Sequence, residues 1–146
     1  SVYWQHISMS TVKRFEELEI WKTSMVLTKR IYELTSVGSF AKDFGLCEQI
    51  RRAIISVSSN IVEGFEKNNN NEFVRYLKIS KGSLGEVRSQ LYAAQSIGYL
   101  TTLDYQNIDM RLQTLAKQIG VLIRYLQNVK NASSQKTSKP SKLETI

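Results

Sequence analysis

Phe73, Leu77, Ser80, Leu84, Val87, Leu91 and Ala94 recur at alternating steps of four and three residues. Ile108, Leu112, Leu115, Ile119, Leu122, Leu126 and Val129 repeat the same rhythm. Each set forms one stripe along an α-helix, and stripes this regular are buried best between helices that cross at a shallow angle. A short polar stretch around Gly98 and Thr101 separates them, so the two helices make an antiparallel hairpin. One proline and seven glycines in 146 residues are too few for a sandwich of short strands.

Two more segments upstream carry helical period. The first spans about residues 13–36, with Phe15, Leu18, Met25, Ile31 and Leu34 inward and Gly38 as its stop; the second spans about 45–67. The third helix starts near Asn71, where Asn69 and Glu72 have capping-box spacing, and stops before Gly98. The fourth starts after Thr101, with Asp104 three residues on, and ends near Lys130. Four such helices with short links predict an all-α, antiparallel up-down-up-down four-helix bundle over residues 13–130. Residues 1–12 are expected to be a flexible segment; 1–8 precede Met9, the expected initiator, and carry no site. Residues 131–146 have no apolar period and are expected to be a disordered basic tail, adding nonspecific contacts to nucleic acid or serving only solubility.

The second helix has an unusual pattern. Gln49, Arg52, Ser56, Asn60 and Glu63 share one face, while Leu46, Ile50, Ile54, Val57 and Ile61 share another. Ile55 and Val62 form a third patch. Two apolar faces predict packing on more than one side, with Ile55 and Val62 in an oligomer interface and the polar seam as a buried network. An ordinary solvated face is the alternative. In the third helix Ser80, Gly82, Ser83 and Gly85 interrupt the middle, where each glycine costs about 1 kcal/mol against alanine. Gly82 and Ser83 are therefore expected to mark close helix packing, with local slack as the alternative.

Several chemistries are missing. His6 is the only histidine and lies in the discounted segment, which removes the ligands of a di-iron bundle and the usual general base of a helical ribonuclease. The lone Cys47 builds neither a disulfide framework nor a zinc site. No serine sits in a Gly-x-Ser-x-Gly elbow, and Gly82-Ser-Leu-Gly85 lies mid-helix, where backbone N–H groups are already bonded. The expectation is no enzyme, no cofactor and no metal. No apolar run of about 18 residues exists, so no membrane partner is expected and the chain reads as cytoplasmic.

What is present is basic. Almost all of the +7 net charge lies after residue 70. On the third helix Lys78, Lys81, Gly85, Arg88 and Tyr92 form one continuous stripe away from the apolar seam, and the fourth adds Arg111, Lys117 and Arg124. Such cations suit a run of phosphates, and Tyr92 suits stacking on an unpaired base. A solvated basic face is the competing reading.

Phe15-Glu-Glu-Leu18 with Trp21, Gly45-Leu46 with Gln49-Ile-Arg-Arg-Ala53, and Asn60-Ile-Val-Glu-Gly64 occur in order. Phe73 with Tyr76-Leu77, Lys81-Gly-Ser-Leu84 with Glu86, and Gly98-Tyr-Leu100 follow. In these blocks the chain resembles the four-helix bundles encoded in 23S rRNA intervening sequences, to which accessory proteins of diversity-generating retroelements are related. It departs at Phe40-Ala-Lys-Asp43, where that family often has a proline and a glutamate. The resemblance implies a ring-like homopentamer with a basic surface toward nucleic acid, and, in retroelement relatives, a reverse transcriptase as partner.

The combined expectation is a non-enzymatic, homo-oligomeric bundle that binds structured RNA, or an RNA–reverse transcriptase complex, through its basic surface. The rival is a ring-forming structural adaptor for a protein partner, with no nucleic-acid contact.

Overall fold

Three of the helix starts are set by local side-chain chemistry. In the computed structural model residues 11–138 are described, with side chains as far as residue 129. The helices are α1 (Glu19–Leu34), α2 (Phe44–Glu66), α3 (Asn70–Ile97) and α4 (Thr102–Ser138). Asp43 caps α2 by accepting the Leu46 N–H at 3.1 Å, and Asn69 caps α3 by accepting that of Glu72 at 3.0 Å. Thr101 Oγ1 accepts the Asp104 N–H at 3.0 Å at the start of α4. Each bond satisfies a donor the first turn would leave unpaired. Gly98, at φ 97°, closes α3, and the Tyr99 N–H returns to the Ala94 carbonyl at 2.9 Å.

Each helix packs on its two sequence neighbours, with α1 closing the square against α4, and α2 with α3 is the most extensive pairing. This is the expected antiparallel four-helix bundle. Its core is aliphatic: Leu27 and Ile31 of α1 meet Ile50, Ile54, Val57 and Ile61 of α2. Leu77, Leu84, Val87 and Leu91 of α3, and Leu112, Leu115, Ile119 and Leu122 of α4, complete it, all fully buried. Both four-three stripes thus lie inside, apart from Val129, which is exposed where the seam runs out. Among the described residues no helix is long and apolar enough to cross a membrane.

Three expectations need correction. The first helix does not begin at Lys13. Phe15–Glu17 form a short 3-10 turn, Leu18 is extended, and α1 starts at Glu19. The break buries Leu18 completely and lets Phe15 meet Trp21 edge-on, ring centres 5.2 Å apart. Met25 is 41% exposed, because the buried stripe of α1 runs through Ile20, Ser24, Leu27, Thr28, Ile31 and Leu34. At the other end α4 continues to Ser138, so residues 131–138 are helical rather than part of a tail. Extending an existing helix adds a hydrogen bond for each residue ordered, without a new nucleus. Residues 139–146, and 1–10 at the other terminus, lie outside the described residues.

Where the chain departs from the family's loop pattern, Phe40–Lys42 make a second 3-10 turn. Phe40 is buried and stacks on Tyr99 at 5.4 Å, while the Tyr99 hydroxyl donates to Asp43 at 3.0 Å. One tyrosine from the α3–α4 connection thus anchors both this turn and the cap of α2.

Candidate nucleic-acid interface

Because α3 and α4 are antiparallel neighbours, the basic stripe of one faces the cations of the other across a shallow groove. Lys78, Lys81 and Arg88 rim it from α3, and Lys117 and Arg124 from α4. Its floor is made of small or aliphatic residues, with Gly82 from α3 and Ala116, Gly120, Val121 and Ile123 from α4. A Cβ placed on Gly120 would stand 3.7 Å from both Lys81 Nζ and Arg124 Nη1. Two cations from different helices therefore converge over one glycine. Among the described residues no aspartate or glutamate lines either part of the groove. Among the described residues Lys78, Lys81, Lys117 and Arg124 form no ion pair, whereas Lys22, Arg30, Arg52 and Arg75 each have a carboxylate nearby.

Arg88 differs from the other rim residues. Its Nε donates to Asp109 Oδ1 at 2.8 Å and its Nη2 to Oδ2 at 3.4 Å, while Gln113 Nε2 donates to Oδ2 at 2.7 Å. Burial pushes the Asp109 carboxyl up, but the hydrogen bonds from Arg88 and Gln113 and the Arg88 charge outweigh it and hold it below its usual range. The Asp109 hydrogen bond in turn raises Arg88. Its charge is thus already matched within the protein, which sets it apart from the four rim cations expected beside it as nucleic-acid ligands. One turn further on, Tyr92 is 60% exposed and packs edge-on against Tyr105, ring centres 5.7 Å apart. Arg111 is exposed but lines no part of the groove; two residues from Gln113, it lies roughly 200° around α4.

The expected buried seam of α2 is not a network in the single chain. Gln49, Arg52 and Glu63 are exposed, and Arg52 donates to Glu48 at 2.6 Å on the surface. Glu63 lies eleven residues from Arg52, about 16 Å along the axis, whereas Glu48 is one turn away. Only the half-buried Ser56 and Asn60 form a cluster: Asn60 Nδ2 donates to the Ser56 carbonyl at 2.7 Å and to its Oγ at 2.9 Å. Ser83 of α3 donates to that same Oγ at 3.0 Å, so this serine faces α2. Gly82 does not: it is exposed, and a Cβ there would meet nothing within 4 Å. The close approach belongs to Gly64, which no helical pattern singles out. Ile55 is 40% exposed and Val62 partly buried, on an outer side of α2 that also carries Phe44, 81% exposed.

Gly120 in the groove, and Asp109 behind the rim residue Arg88, are the residues that pattern alone misses. Each directly follows a member of the regular stripe of α4, Ile119 and Ile108 respectively, and only the partner helix shows what each faces.

The model of the 23S rRNA-intervening sequence protein family matches residues 16–121, most of the chain. The chain belongs to that family. A solved structure from Bacteroides thetaiotaomicron, described as a protein with unknown function from the S23 ribosomal protein family, has the same fold at 22% identity. The TM-score is 0.65, over 71% of this chain and 97% of that one. No curated protein matches.

Proposed function

We propose that this 23S rRNA-intervening sequence family member binds structured RNA through the groove between α3 and α4, without catalysing a reaction. The convergence of Lys81 and Arg124 over Gly120, with no acid in the lining, carries this reading. Cations held together without a counter-charge repel one another, and a phosphate between them relieves that repulsion. A small-residue floor lets a backbone come close enough to do so. Self-association, in five copies as the resemblance implies, would present several such grooves to one polyanion. The exposed Phe44 and Ile55 on α2 support an interface on the side of that helix.

Filter binding of a structured RNA from about 50 to 300 mM salt tests the reading, comparing wild type with Lys81→Glu/Arg124→Glu. Wild-type affinity falls steeply with salt, and the double reversal weakens binding and flattens the slope. Absence of wild-type binding at low salt would leave the adaptor reading in its place.

A further inference from the structure

Resting on the groove reading above, we infer that the RNA it takes carries an unpaired base next to the bound backbone, and that Tyr92, braced by Tyr105, stacks on that base. The groove changes character along its length. At one end Lys78, Lys81, Lys117 and Arg124 stand without acid partners among the described residues. Next comes Arg88, bound to Asp109, whose carboxylate is held in its charged form by Arg88 and Gln113. A backbone phosphate gains less from a cation already matched than from one without a counter-charge, and a carboxylate beside it is repulsive. The phosphate track therefore ends at Asp109.

One helical turn beyond Arg88, about 6 Å along the axis, the surface becomes aromatic. Tyr92 is 60% exposed, yet its ring is supported on one side: the partly buried Tyr105 meets it edge-on, ring centres 5.7 Å apart. A large ring left in water but backed by a second ring suits stacking, because its face stays open and such a contact lowers the side-chain freedom lost on binding. The step from a matched cation to this ring is within one nucleotide's reach from its own phosphate. A paired base inside a duplex offers no face to such a ring; a base in a loop, bulge or single-stranded end does.

The experiment uses the full chain and two RNA probes: a hairpin with 2-aminopurine in its loop, and a blunt duplex containing the stem sequence. Wild type is expected to bind the hairpin more tightly and to change the 2-aminopurine fluorescence. Tyr92→Ala should weaken hairpin binding about 5- to 100-fold, abolish the fluorescence change, and leave duplex affinity as it was. Tyr92→Trp should retain both hairpin signals, and Tyr105→Leu should reduce them by releasing the ring. Lys81→Glu/Arg124→Glu should lower affinity for both probes. If Tyr92→Ala changes both probes equally, or neither, the stacking site is overturned while the groove stands. If wild type binds neither probe, the groove reading falls and the stacking site with it.

Discussion

Gly64 passes Tyr76 so closely that a Cβ on the glycine would lie 2.7 Å from that of the tyrosine. Phe73 crowds the same spot, its ring at 3.1 Å and its carbonyl oxygen at 3.3 Å. The absent side chain at Gly64 is what lets the end of α2 fold back against the start of α3, within the most extensive helix pairing of the bundle.

Alanine should therefore have opposite effects at two helical glycines. Gly64→Ala forces α2 and α3 apart and should cost about 1–3 kcal/mol. Gly82→Ala adds a methyl to open space in mid-helix and should stabilise by up to about 1 kcal/mol. Urea denaturation followed by circular dichroism measures both. A destabilised Gly82→Ala would restore the close approach that the helical pattern suggested.

Those two glycines show where a sequence stops being legible. Helix starts at Asn69 and Thr101 can be read because a cap and its N–H lie three residues apart, and the four-three stripes place the core of α3 and α4 by period alone. Whether a glycine or a serine faces a neighbour depends on how two helices are rotated about their axes, which no single helix encodes. The same holds for the groove: Lys81 and Arg124 can be picked out as basic residues of two helices, but that they converge over Gly120 shows only when the helices are packed. The first helix breaks at Leu18, which is fully buried in the core, a tertiary preference outweighing a local one. Arg52 pairs elsewhere for a simpler reason, since Glu48 is one turn away and Glu63 three.

Exposure of the α2 seam makes Glu63→Ala a mild change, within about 0.5 kcal/mol of wild type. Ser80→Ala should cost more, about 1 kcal/mol, because the fully buried Ser80 hydroxyl donates to the Val57 carbonyl of α2 at 2.8 Å. Paired denaturation curves decide it. A loss of about 3 kcal/mol at Glu63 would mean the seam is buried in an assembly.

Acid should weaken the bundle partly through Asp109. Its carboxyl lies below its ordinary range in the folded chain, so it binds fewer protons there than in the unfolded one. Its contribution is complete above the unfolded value of about 4 and is lost as pH falls through the lower folded value. Asp109→Asn should lose about 1–3 kcal/mol at neutral pH and show a shallower decline below about pH 4. Thermal midpoints across pH test both; parallel wild-type and variant curves would mean that Asp109 titrates alike in both states.

The outer side of α2 should govern assembly. Light scattering after gel filtration is expected to give several times the single-chain mass, and Ile55→Asp with Val62→Asp should reduce it to one copy with most helical signal kept. A wild-type monomer at micromolar concentration would mean that the exposed Phe44 and Ile55 cover some other partner.

Cation placement yields the most discriminating prediction about RNA. By charge alone, Arg111 and Lys117 are equivalent residues of α4, and Arg88 is one more member of the α3 stripe. In the folded chain Lys117 rims the groove, Arg111 lies around the helix from it, and Arg88 is matched by Asp109. Lys117→Glu should lower the salt slope by about 0.7–0.9 for each phosphate it no longer holds, and weaken binding accordingly. Arg111→Glu should change affinity much less, since it meets the polyanion only through long-range charge screened over about 8–10 Å. Arg88→Ala should lower stability by uncovering Asp109, with a smaller effect on the slope than Lys117→Glu. Equal reductions at Arg111 and Lys117 would reduce the groove to diffuse surface charge.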